Sequence, residues 1–174
     1  AQDLPQAVGG VVAIDGLPVF PRTEDTPPEQ RAAMAEGVRK QMLAVTGPAF
    51  VAQQHQYMRS IGMVDIGKAD DAARLTARSD PAAVADYVGA VLARDLRPGL
   101  ADIKAPVLML VPYYAPDAVV LNDITIPDKL AYYRELMSGT PRLDVEAVDK
   151  ARHFAMIDQP EAVANAVRRF LKHL

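Results

Sequence analysis

The sequence contains no cysteine, which excludes several kinds of chemistry. Without a thiol the chain forms no disulfide, no thiolate metal site and no cysteine nucleophile. Tryptophan is also absent, aromatic residues are few, and no RNP-like or recognition-helix pattern is present. The missing cysteine leaves the compartment open, since cytoplasmic and periplasmic enzymes both often lack it.

Concentrated charge and long apolar runs are missing as well. The formal net charge is -3, and the basic residues are scattered along the chain. We therefore expect neither nucleic acid nor a membrane as a partner, because both bind clustered positive charge. No apolar run approaches the ~20 residues that span a bilayer. Residues 1–5 contain no basic segment leading into an apolar one, so we expect any signal peptide to be removed or upstream.

Three apolar segments predict the strands of a predominantly parallel sheet. Residues 8–14 and 106–111 are continuous, β-branched or aliphatic runs bounded by glycine or proline, which is typical of strands buried on both faces. Residues 142–148 alternate apolar and polar side chains, which suits a strand near a sheet edge. Because helices separate these segments, the sequence predicts an α/β fold with flanking helices.

Helical periodicity fills most of the remaining chain. Between Thr26 and Ile103 several helices are predicted, beginning with a capping box at Thr26 and Glu29. Asp80 followed by Pro81 predicts the start of a further helix. An amphipathic helix is expected over residues 160–173.

Two segments resemble the C-terminal part of the α/β-hydrolases. Residues 100–111 are similar to the penultimate sheet strand of that superfamily and the approach to it. Residues 143–163 resemble its last strand, histidine loop and final helix. The most specific feature is His153-Phe154 followed by an acidic residue, Gln-Pro-Glu and an amphipathic helix. The opening strand resembles the one that follows the nucleophile helix.

The resemblance implies a partial α/β-hydrolase fold with a helical cap insertion. Its parts are residues 1–25 as core strand and linker, 26–104 as a helical cap or lid, and 105–174 as the C-terminal core. The G-x-S-x-G nucleophile elbow of the family precedes the first of these strands. None of the serines of this chain, at positions 60, 79 and 138, has that setting. We therefore expect the nucleophile in upstream sequence or another chain, whether the fragment is natural, nicked or engineered.

His153 is the residue that the resemblance assigns as general base, taking the proton of the serine hydroxyl. The acid that orients its ring remains open among three carboxylates. Asp117 ranks first because the family's acid usually follows the penultimate strand. Asp15, at the end of the opening strand, ranks second, and Asp123 ranks third.

Two tyrosines and the scattered acids complete the candidate residues. Tyr113 and Tyr114 follow the penultimate strand, where they are candidates for lining a substrate pocket. The remaining acids lack metal-ligand spacing, and His55 has no ligand partner one turn later. The sequence thus predicts no metal site, and the implied chemistry requires no cofactor.

The function implied is that of an esterase-like serine hydrolase with a catalytic triad. It would cleave an ester or related acyl bond of a small, apolar substrate, whereas this fragment alone should be inactive. The alternative is a non-catalytic α/β-hydrolase-like binding or oligomerisation module. Because three strands leave exposed sheet edges, we expect pairing with the N-terminal half of the same enzyme or with a second copy. The sequence leaves the substrate, the bond type and the oligomeric state open.

Overall fold

The computed structural model describes residues 1–118 and 123–174. They form two compact units. The first combines Ala1–Pro18 with Leu96–Leu174, and the second is Val19–Asp95. The assignment of residues 26–104 as a cap stays a prediction.

The first unit is built on a parallel sheet of three strands in the order β1-β2-β3. The strands are β1 (Val11–Ile14), β2 (Val107–Tyr113) and β3 (Leu143–Asp149). The central strand is buried along almost its whole length, and the outer two are partly exposed. The predicted α/β fold with three parallel strands is therefore confirmed.

The predicted helices are present, together with two short helices, over residues 115–118 and 155–158, that the sequence did not predict. In chain order they are α1 (Pro28–Leu43), α2 (Gly47–Tyr57), α3 (Ile66–Thr76), α4 (Pro81–Leu92), α5 (Ala115–Ala118), α6 (Ile126–Leu136), α7 (Ala155–Asp158) and α8 (Pro160–Leu171). A π-helical turn over Met58–Gly62 and a 3-10 helix over Arg97–Asp102 were not predicted as such. No helix in the described ranges is long and apolar enough to cross a membrane.

The starts of these helices test the predicted caps. The capping box at Thr26 is wrong, because α1 begins after Pro27 and has no side-chain cap. The carbonyl of Thr26 instead accepts a hydrogen bond from the buried guanidinium of Arg31, 3.3 Å away. The Asp80 cap is confirmed, since its carboxylate accepts from the first amides of α4.

The two faces of the sheet bury different helices. Leu108 and Leu110 lie on one face and pack with an apolar stripe of α8 that includes Phe170. Met109 lies on the opposite face, in a cluster with Tyr133 at the end of α6. This separation follows from the two-residue period of a strand. It places α6 on the same face of the sheet as Met109.

The helical unit contains a cluster of charged side chains between α2 and α3. The guanidinium of Arg59 donates to both carboxylate oxygens of Asp70, at 2.6 and 2.7 Å. His55 Nδ1 lies 3.5 Å from the same carboxylate. The hydrogen bond from Arg59 is the largest cause that lowers the pKa of Asp70 to about 2.

We expect this cluster to make stability depend on acidity. Because the pKa of Asp70 is about 2 when folded and 3.8 ordinarily, its contribution is complete above pH 4 and is lost as the pH falls toward 2. The melting temperature of Asp70→Asn should therefore fall less between pH 4 and pH 2 than that of the unmodified chain. Asp71→Asn is the matched control, since the Asp71–Arg74 pair is exposed on one helix. Equal falls in all three proteins would contradict the prediction.

Candidate active site

Asp15 follows the last residue of β1, at the carboxyl end of the parallel sheet. Its amide donates to the carbonyl of Leu110 at 2.9 Å, which extends the pairing of β1 with β2 by one bond. Its φ is +54°, in the left-handed region that aspartate and asparagine tolerate better than most residues. A strained backbone at a strand end is typical of functional sites.

His153 reaches the same edge from the loop after β3. The amide of Ala151 donates to the carbonyl of Tyr113 at 2.9 Å, which fixes this loop to the end of β2. The Nδ1 of His153 lies 2.8 Å from the Oδ2 of Asp15. The His153 side chain is 37% exposed and that of Asp15 only 17%. The ring is therefore accessible while the carboxylate behind it is largely covered.

A buried tyrosine contacts the other oxygen of Asp15. The hydroxyl of Tyr133, on α6, donates to Asp15 Oδ1. Burial, followed by the charge of Asp15, raises the pKa of Tyr133 far above its ordinary value. The phenol therefore stays protonated and acts as a donor.

Lys129 lies one turn before Tyr133 on the same helix. Its ammonium donates to the carbonyl of Pro112 and lies 5.9 Å from the centre of the Tyr133 ring. Burial lowers the pKa of Lys129, while the charges of Asp15 and Asp117 oppose that shift. Positive charge is thus placed close to both acids.

Asp117, which ranked first among the candidate acids, is engaged elsewhere. Its two carboxylate oxygens accept from Arg152 at 2.7 and 2.8 Å. The guanidinium of Arg152 lies 5.0 Å from the centre of the Tyr114 ring. A bidentate pair of this kind satisfies the carboxylate geometrically. The structure therefore brings Asp15 to His153 and Asp117 to Arg152.

The remaining predicted residues lie around the same loop. Asp123 has a left-handed backbone with φ of +56°, and its amide donates to the carbonyl of Ala118 at 2.9 Å. The hydroxyl of Tyr113 donates to the carbonyl of Ile124 at 3.1 Å. Residues 119–122, between Ala118 and Asp123, lie outside the described residues. The pocket role of Tyr113 and Tyr114 stays a prediction.

Sequence reasoning missed Lys129 and Tyr133. The available signal was their spacing of four residues, which puts both on one face of the helix before the last strand. Nothing in the sequence pairs that face with Asp15. The contact arises because α6 crosses over the sheet between β2 and β3.

A cavity lies away from this cluster of residues. A cavity of about 350 Å³ opens at the opposite end of the strands, lined by residues that include Pro106, Arg142 and His173. Within the described part of the chain, no group of three histidine or acidic side chains is arranged to bind a metal ion.

Comparison with known proteins gives matches at the level of structure. No protein-family model matches the sequence, and no curated protein does. The chain is similar to MenH from S. aureus, with 14% identity, a TM-score of 0.64, and coverage of 95% of this chain and 59% of that one. It is similar to a thermophilic esterase from Thermogutta terrifontis, with 20% identity, a TM-score of 0.59, and coverage of 95% and 56%.

An enol-lactonase from Burkholderia xenovorans is a third similar structure. The identity is 19% and the TM-score 0.55, and the match covers 98% of this chain and 60% of the lactonase. This chain thus spans less than two thirds of the length of each of these structures. At such identities the likeness establishes the fold. The chain has a partial α/β-hydrolase fold, with Asp15 and His153 in contact at the carboxyl end of its sheet.

Proposed function

We propose that this chain is the C-terminal part of a serine-type α/β-hydrolase in which His153 is the general base and Asp15 its acid. The observation that carries the proposal is the 2.8 Å contact between His153 Nδ1 and Asp15 Oδ2 at the carboxyl edge of a parallel sheet. Ligand and catalytic sites of open α/β sheets form at that edge. The ion pair of Asp117 with Arg152 supports ranking Asp15 above Asp117.

The proposed chemistry is acyl transfer through a covalent intermediate. A serine hydroxyl attacks the substrate carbonyl while His153 takes its proton, and the resulting imidazolium donates that proton to the leaving group. Water then attacks the acyl-enzyme, with His153 again as base, and the serine is regenerated. Asp15 accepts from Nδ1, which stabilises the imidazolium and leaves Nε2 to exchange the proton.

The serine belongs to a different part of the protein or to a second chain in this proposal. The outer edge of β1 supports it, since the strand pairs only with β2 within the described residues. Val12 on this strand is 36% exposed. An unpaired strand edge is a ready template for another strand. We propose that a strand from the N-terminal half of the same enzyme covers this edge and carries the nucleophile.

The proposed substrate is a small, apolar ester or related acyl compound. Two of the similar structures are named as an esterase and an enol-lactonase, which supports an ester-type bond. Fold alone does not fix a reaction, because one fold supports many chemistries. The bond type is therefore a matter for assay.

The test compares the chain with a longer version of itself. We expect the protein extended by its upstream coding sequence to contain G-x-S-x-G and to hydrolyse p-nitrophenyl acetate. The 174-residue chain alone should show only the background rate. An upstream segment without a nucleophile, or an extended protein without turnover, would instead favour the non-catalytic binding or oligomerisation module.

A further inference from the structure

Each oxygen of the Asp15 carboxylate has one hydrogen-bonding partner. Tyr133 donates to Oδ1 and His153 Nδ1 lies 2.8 Å from Oδ2. The phenol is buried, with 5% of Tyr133 exposed. An ionised carboxylate only accepts hydrogen bonds, so the neighbour on each oxygen must be a donor.

We propose that Tyr133 is a positioning residue that acts through Asp15: by occupying Oδ1 it directs Oδ2 at His153 and fixes the Nδ1–H tautomer of that ring. The role deepens the proposed hydrolase function and rests on it. With the proton on Nδ1, the lone pair is on Nε2, which is the atom that accepts the serine proton.

The need for such a residue follows from the torsional freedom of aspartate. Rotation about the bond to a carboxylate is broad, so the side chain itself does not select which oxygen faces the histidine. A neutral imidazole carries its proton on either nitrogen, and its partners decide which. A single donor on the far oxygen restricts the rotation of the Asp15 carboxylate. The near oxygen then stays directed at His153 and favours the tautomer with the proton on Nδ1.

The helix that carries Tyr133 is anchored near both of its ends. A capping box at its start joins Thr125 and Asp128, each side chain bonding the backbone amide of the other residue. One turn later Lys129 donates to the carbonyl of Pro112, at the end of β2. The ring of Tyr133 itself packs in the apolar cluster on the Met109 face of the sheet. The phenol oxygen is therefore placed by elements with little freedom to move.

The remaining charges near Asp15 act in the same direction. The ammonium of Lys129 and the carboxylate of Asp15 attract each other. Asp117 also faces Lys129, but Arg152 balances its charge. Because a carboxylate only accepts hydrogen bonds, its contact with His153 requires the ring proton on Nδ1.

Nitrogen NMR of the histidine rings tests the role on the 174-residue chain without any serine. At about pH 8.5, where an ordinary imidazole is neutral, the Nδ1–H tautomer of His153 should dominate. In Tyr133→Phe the ratio of Nδ1–H to Nε2–H should fall about five-fold, the size expected for loss of one hydrogen bond. The control is Tyr132→Phe, which removes a hydroxyl from the adjacent position of α6 and should leave the ratio unchanged.

The outcomes separate this role from the proposed function. If Asp15→Asn changes the tautomer ratio of His153 and Tyr133→Phe does not, the Asp15–His153 pair is supported and the positioning role of Tyr133 is wrong. If neither variant changes it, the Asp15–His153 pair and the proposed function fail together. The unmodified chain provides a second measurement: the hydroxyl proton of Tyr133 should be visible and exchange slowly. Its rapid exchange with water would overturn the role without any variant.

Discussion

Replacing His153 with alanine should lower kcat/KM of the extended protein for p-nitrophenyl acetate by about 10⁴-fold or more. In the proposed mechanism, loss of the imidazole leaves the serine hydroxyl without a base and the leaving group without an acid. The side chain is 37% exposed and lies in a loop, so its removal should leave the fold intact. Steady-state kinetics, with circular dichroism as the check on folding, measure the effect.

The matched control is His173→Ala, a change at a histidine at the opposite end of the sheet. Its kcat/KM should equal that of the parent protein. A His153→Ala variant with unchanged turnover would remove the imidazole from the mechanism. In that case the non-catalytic alternative, or a different base, would have to be adopted.

Replacing Asp15 with asparagine should also lower kcat by about 10⁴-fold, through the wrong histidine tautomer. An asparagine amide donates to Nδ1, so the ring proton moves to Nε2 and the base is blocked. Asparagine tolerates the left-handed backbone that Asp15 adopts, with φ of +54°. The substitution therefore changes the hydrogen bond and the charge while the strand end keeps its conformation.

Asp117→Asn is the control that discriminates between the candidate acids. Its partner is Arg152, the residue before His153, so loss of the ion pair should loosen the loop and cost less than about 10-fold in kcat. A large loss in Asp117→Asn with a small one in Asp15→Asn would reverse our assignment. Comparable losses in both would place the two carboxylates in one network.

The sheet could be predicted from sequence because burial leaves a local signature. The apolar run of β2 has no charge to interrupt it, and the structure buries nearly every residue in it. The alternation in β3 matches its place at the edge of the three strands. Asp80 could be assigned as a cap for the same reason, since a cap involves residues only two or three apart.

The contact of His153 with Asp15 could not be predicted from the sequence. Asp117 is separated from His153 by one crossover, whereas Asp15 is 138 residues away in the chain. The sheet order puts β2 between β1 and β3, so the approach of His153 to the end of β1 depends on how its loop crosses the sheet edge. The preference for Asp117 also could not anticipate that Arg152 would neutralise it.

The contact of Tyr133 with Asp15 could not be predicted from the sequence either. A tyrosine on the apolar face of a helix is expected to pack against the sheet. Tyr133 does so, on the face that carries Met109. Its hydroxyl reaches Asp15 because of where α6 crosses the strands, which is a property of tertiary structure. Local periodicity specifies the face of the helix and leaves the target of the phenol oxygen undetermined.

The parallel pairing of β1 with β2 joins residues that are 96 positions apart in the chain, such as Val11 and Val107. Lengthening such a connection is inexpensive, because doubling a loop adds only about 0.6 kcal/mol of closure entropy. Insertions or deletions within residues 19–95 can therefore accumulate while Asp15 keeps its place beside His153.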